Sequence, residues 1–108
     1  MPPSCYRMQR CKQMKTNTVI AQTKKGHRVF LEGLSAHGWI AGSLYSVTFE
    51  QDYIVLALDH DNGKRKVVAS KGGVIDLESK KVTRWADGAT TAIIAHDRER
   101  GHIIIGKA

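Results

Sequence analysis

The first 28 residues of the chain contain no aspartate or glutamate, yet Arg7, Arg10, Lys12, Lys15, Lys24, Lys25 and Arg28 all fall there. From residue 29 onward ten basic residues face ten acidic ones, so the formal surplus of +7 sits at the N-terminal end and the body is neutral. A basic arm on a neutral domain attracts a phosphate backbone, because each cation it places there releases condensed counterions. Long apolar runs are missing too. No stretch approaches the roughly 18 residues that a membrane-spanning helix needs, so no membrane partner is expected. Met1 to Arg7 lacks the apolar segment of a secretory signal, which points to a cytoplasmic protein. Cysteine is scarce: Cys5 and Cys11 both lie near the start, where a bridge would close only a short loop, and reduced thiols are expected. There is no C-x-x-C pair, no H-x-x-x-H and no nucleophile elbow. Those absences exclude the common zinc centres and the common serine and cysteine hydrolases, leaving no metal and no cofactor expected, no catalytic residue assigned, and the question of an enzymatic role open.

What the chain does have is an internal echo. Lys25 and Gly26 recur 46 residues later as Lys71 and Gly72, Val29 as Ile75, and Leu31 and Glu32 as Leu77 and Glu78. Trp39 recurs as Trp85, Gly42 as Gly88 and Val47 as Ile93, so the two tryptophans occupy one position used twice. A unit of this length cannot bury its apolar face alone, and its duplicate is the natural packing partner. Both tryptophans are expected in the core, closing a short helix onto a sheet.

Local patterns fill in the unit. Thr18 to Thr23 is β-branched and reads as a strand, followed by the turn Lys24-Lys25-Gly26-His27 and a strand from Arg28 to Leu31. Leu34 to Trp39 is about one helical turn. Leu44 to Phe49 alternates with period two and forms a hairpin with Tyr53 to Leu58. Asp59 to Gly63 links the halves, with Asn62-Gly63 predicting a reversal at positive φ. The second unit runs from Lys66 through Val67 to Ser70, the turn Lys71-Gly72-Gly73, a strand from Val74 to Leu77, and a helix from Ser79 to Trp85 with Ser79 as cap. Thr90 to His96 and His102 to Gly106 make the last hairpin, across a loop about three residues longer than its counterpart. Glu32 and Glu78 end their strands at equivalent positions and read as caps or inter-unit salt bridges.

These segments resemble a known superfamily. Thr23-Lys24-Lys25-Gly26-His27-Arg28-Val29-Phe30-Leu31, then Gly38-Trp39-Ile40-Ala41-Gly42-Ser43 and a hairpin, look like the AbrB/SpoVT swapped-hairpin domain. Leu31-Glu32-Gly33 ahead of Leu34-Ser35-Ala36-His37-Gly38-Trp39-Ile40-Ala41-Gly42 is closer still to its SymE-like branch. The resemblance covers roughly residues 18–58 and, weakly, 66–105. It implies a mainly β fold with short helices: two pseudo-repeated swapped-hairpin units forming one small barrel over residues 17–108, behind a basic flexible arm of residues 1–16.

The resemblance also implies a DNA-binding face, and position by position it selects Lys24, Lys25, His27 and Arg28 in the first unit and Lys71 and Arg84 in the second. Arg7, Arg10, Lys12 and Lys15 of the arm join them on charge alone. In each turn the glycine lets the backbone approach a phosphate, and the lysine supplies a charge-assisted donor. Three functional classes follow. The first is a small DNA-binding transcriptional regulator of AbrB-like type, acting alone or as a homodimer. The second is a SymE-like toxin acting on RNA or DNA, in which His27 or His37 together with His96 would supply acid–base groups. The third is a protein-binding inhibitor or adaptor from a mobile element.

Overall fold

The computed structural model describes residues 16–108. In chain order its elements are β1 (Thr16–Val19), β2 (Ala21–Thr23), β3 (Gly26–Leu31), a 3-10 turn (Leu34–His37), β4 (Leu44–Phe49), β5 (Tyr53–Leu58), β6 (Arg65–Lys66), β7 (Ile75–Ser79), α1 (Lys80–Ala86), β8 (Thr91–Asp97) and β9 (His102–Lys107). The fold is mainly β, with one α-helix. Six strands in the order β1-β8-β9-β5-β4-β6 form a curled half-barrel sheet, and β2-β3-β7 form a second sheet. Every paired strand is antiparallel. The main core lies between the sheets: Val29, Leu31, Ile75 and Leu77 from the small sheet meet Ile54, Leu56, Ile94, Ile103 and Ile105 from the large one. Both tryptophans belong to this cluster.

The strand expected over Thr18 to Thr23 is two strands in different sheets. Ile20 turns into the core between them, and its N–H bonds to the Thr90 carbonyl at 2.9 Å. β1 then pairs with β8, while β2 pairs with β3. The hairpin of β4 and β5 falls where alternation placed it, since one face of each strand must meet the core. Edge strands β1, β6 and β2 are all short, which limits the open backbone available for pairing with other chains.

The two helical segments differ in length for a local reason. Gly33 and Gly38, both left-handed, bracket the first and leave room for one 3-10 turn. The second has a proper cap, as expected: the Ser79 side chain accepts the Val82 N–H at 3.4 Å. Glu78 is therefore not the cap, and the described ion pair across the small sheet is Arg28–Asp76. The loop after β5 also departs from expectation. Neither Asn62 nor Gly63 has positive φ. The Asp59 carboxylate instead accepts the N–H groups of Asn62 at 2.9 Å and Asp61 at 3.3 Å, and Gly63 is needed because a Cβ there would lie 2.5 Å from the Asp59 carbonyl oxygen. Among the described residues, no helix is long and apolar enough to cross a membrane. The expected arm, with Cys5, Cys11, Arg7, Arg10, Lys12 and Lys15, lies outside the described residues except for Thr16, which opens β1.

Candidate nucleic-acid interface

The turn before β3 is organised by its own threonine. Thr23 Oγ1 accepts the Lys25 N–H at 3.1 Å and donates to the Gly26 carbonyl at 3.3 Å, leaving both lysine side chains exposed. Gly26, at φ 133°, passes directly against the Ser79 backbone, which brings the turn to the start of α1. His27 extends that junction: its Nδ1 lies 2.8 Å from Thr83 Oγ1 on the helix. His27 is thus a tie between turn and helix, with Nε2 the ring nitrogen left for a ligand.

This junction places cations from distant sequence on one surface. Lys24, His27, Lys80 and Arg84 line an open cleft on one side of α1. Across the helix, Lys64, Arg65, Lys80, Lys81 and Arg84 line a second cleft beside β4. The two share Lys80 and Arg84, and neither has a carboxylate in its wall. Six lysine and arginine side chains therefore form one basic face around α1. It ends at Lys81 and Arg84, which also line a third cleft where Lys107 is mixed with Glu50, Asp52 and Asp87. Unscreened like charges cost stability unless a polyanion lies opposite, so a face of this kind suits a phosphate backbone.

The predicted residues divide. Lys24, His27 and Arg84 meet in the first cleft, and Lys25 extends from the adjoining turn. Arg28 and Lys71 sit elsewhere, gathered around Phe30: the Arg28 guanidinium carbon lies 4.7 Å, and Lys71 Nζ 5.5 Å, from the ring centroid. Arg28 Nε is also 2.9 Å from Asp76 Oδ1, an exposed ion pair across the small sheet. The matching lysines of the two turns do not converge. Lys64, Arg65, Lys80 and Lys81 are the members that sequence reasoning missed. The signal was present in the runs Lys64-Arg65-Lys66 and Lys80-Lys81, but the neutral total of the body concealed it.

A second constellation joins two of the histidines. The rings of His37 and His96 stack in parallel, with centroids 3.6 Å apart and planes 3° from coincidence. His96 is 5% exposed, and its buried Nδ1 has no hydrogen-bond partner. Burial, and secondarily the neighbouring His37, hold the His96 pKa down at about 4. His27 is not part of this pair, and rings in van der Waals contact leave no space for a phosphate between them. Among the described residues, no group of three His, Cys, Asp or Glu side chains could hold a metal ion.

The depressed His96 pKa predicts a pH dependence. A histidine that binds its proton less readily when folded contributes its stability above the unfolded value of roughly 6.5 and loses it as pH falls toward 4. Unfolding free energy should therefore drop by on the order of 2 kcal/mol across that window. His96→Leu should flatten this part of the profile in denaturant titrations. An equally steep profile in the variant would show that another group is responsible.

The chain matches no protein-family model, no curated protein and no solved structure.

Proposed function

We propose that this protein binds nucleic acid, in the first place double-stranded DNA, through the basic face around α1, as a small transcriptional regulator of AbrB-like type. The observation that carries this reading is the pair of clefts sharing Lys80 and Arg84, lined by six lysine and arginine side chains and no carboxylate. Flexible lysines and arginines on an exposed helix face suit contacts to phosphate, which give affinity rather than sequence discrimination.

Strand pairing supports the swapped-hairpin architecture behind the proposal. The large sheet reads the same from either end when β1 is matched with β6, β8 with β4 and β9 with β5. β1 pairs with β8 and β6 pairs with β4, the pairings expected if two such units exchange strands. Between β3 and β7, Phe30 sits opposite Asp76, which is its own counterpart at the 46-residue offset. Between β5 and β9, Val55 faces Ile104, an offset enlarged by the longer last loop. On this reading the two units share a strand order, and their charges differ. Lys80, Lys81 and Arg84 stand where the first unit has Leu34, Ser35 and Gly38. DNA would therefore meet the second unit's helix and not a two-fold face.

Lys80→Glu combined with Arg84→Glu tests the reading. Duplex affinity at moderate salt should fall on the order of 100-fold, and the log–log salt slope should shrink by about two contacts. Arg28→Glu, a site away from the face, should change affinity little. Full-strength binding by the double variant would sink the proposal, and a preference for RNA over duplex DNA would move it to the SymE-like class. One observation favours that second reading: His96, stacked on His37, lines a separate cleft with Asn17 and Arg28. RNA cleavage lost on His37→Ala, with folding retained, would support it.

A further inference from the structure

Position along α1 decides which of its side chains face outward. At roughly 3.6 residues per turn, Val82, Trp85 and Ala86 fall on one side, and all three are buried. The opposite side carries Lys80 and Arg84, one turn apart and both exposed. Thr83 lies on the flank toward the Lys24 turn, where His27 Nδ1 meets its hydroxyl at 2.8 Å. Lys81 lies on the other flank, with Lys64 and Arg65. β6 holds that segment in place, since Arg65 sits opposite Tyr45 of β4 and Lys66 opposite Leu44. The helix is a ridge, with Lys80 and Arg84 along its crest and a cation-lined cleft down each side.

We propose that this ridge enters the major groove of B-form DNA, with one phosphate strand seated in each flanking cleft. The inference rests on the DNA-binding reading above and adds how the duplex is held. A helix with its side chains is about 10–12 Å across, and the major groove is about 12 Å wide. The seven residues of α1 give a ridge about 10 Å long, short enough to lie within the groove. Lys24 and His27 then face one backbone, and Lys64 and Arg65 face the other. Lys80 and Arg84 line both clefts, so each reaches either strand from the crest. Their alkyl stems occupy the groove while the charged ends turn outward to phosphate. Contacts of this kind fix the orientation of the duplex and carry little sequence information. The carboxylates of the third cleft, at the far end of the helix, confine the contact to the length of the ridge.

Equilibrium binding of the full-length protein to three probes of one sequence tests this. They are a plain DNA duplex, the same duplex with glucosylated 5-hydroxymethylcytosine in place of cytosine, and the double-stranded RNA. The added sugars fill the major groove and leave the backbone charge unchanged, so affinity should fall on the order of tenfold or more. The RNA should bind more weakly than plain DNA by a similar factor, because its major groove is too deep and narrow for the ridge. On plain duplex, Lys24→Ala and Lys64→Ala should each reduce the log–log salt slope by about one unit. Equal affinity for the plain and glucosylated duplexes, or for DNA and RNA, would overturn the groove placement and leave the DNA-binding reading standing. A slope that responds to only one of the two substitutions would also overturn it, placing a single strand in one cleft. Failure to bind the plain duplex at all would overturn both.

Discussion

Trp39→Ala is expected to cost about 3–5 kcal/mol of folding stability, as for a large aromatic removed from a packed core. Trp39 is 1% exposed, its ring lies tilted against Tyr45 at 5.6 Å, and its backbone N–H bonds to the Leu34 carbonyl at 3.1 Å. It is the side chain that holds the 3-10 turn against the sheet. A domain of this size has only about 5–15 kcal/mol in hand, so the variant should be near its unfolding threshold. Trp85 occupies the matching place but not the same environment. It is 6% exposed, its buried Nε1 has no hydrogen-bond partner, and Lys107 Nζ lies 5.3 Å from its ring. Trp85→Ala should therefore cost less, about 2–4 kcal/mol, because removing the indole also removes an unpaired buried N–H. Denaturant unfolding of the two variants measures this, and a loss under about 1 kcal/mol for Trp39→Ala would remove the tryptophan from the centre of the fold.

Gly26→Ala should be nearly as damaging although it adds a single methyl. The new Cβ would lie 2.5 Å from the Ser79 carbonyl oxygen, 2.7 Å from the Ser79 carbonyl carbon and 2.8 Å from Thr83 Oγ1. Two of these are backbone atoms at the cap of α1, which cannot rotate away. The residue also sits at φ 133°, a region that L side chains rarely adopt. Overpacking and backbone strain together suggest on the order of 3–5 kcal/mol. The functional consequence is as specific as the energetic one. Pushing the turn off Ser79 separates Lys24 from Lys80 and Arg84 and strains the His27–Thr83 contact, so nucleic-acid affinity should fall along with stability. Gly42→Ala is the control, with positive φ at 87° but open space around its would-be Cβ. It should cost only the strain, about 1 kcal/mol. Equal losses in the two glycine variants would mean that the close approach to Ser79 is unimportant.

Much of the local structure was legible in the residues. The hairpin of Leu44 to Phe49 and Tyr53 to Leu58 follows from period-two alternation, and the helix after Ser79 follows from its cap. The burial of Trp39 and Trp85 follows from their recurrence among apolar positions. The hairpin and the helix depend on neighbours within a few residues, and the tryptophans' recurrence is visible by comparing two stretches of sequence, so spacing suffices to determine each. Tertiary structure decided what involves partners far apart in the chain. The break at Ile20 exists because β1 must reach β8 while β2 stays with β3, a choice with no local signature. The stacking of His37 on His96 is of the same kind. The basic face is the clearest case, since Lys24 comes from the basic first 28 residues while Lys64, Arg65, Lys80, Lys81 and Arg84 come from two segments of a body whose charges cancel. A sum over sequence discards position, whereas the field that a phosphate meets depends on which charges share a surface. Only the packing of α1 between the Lys24 turn and the Lys64-Arg65 segment brings these cations into two adjoining clefts whose walls hold no carboxylate.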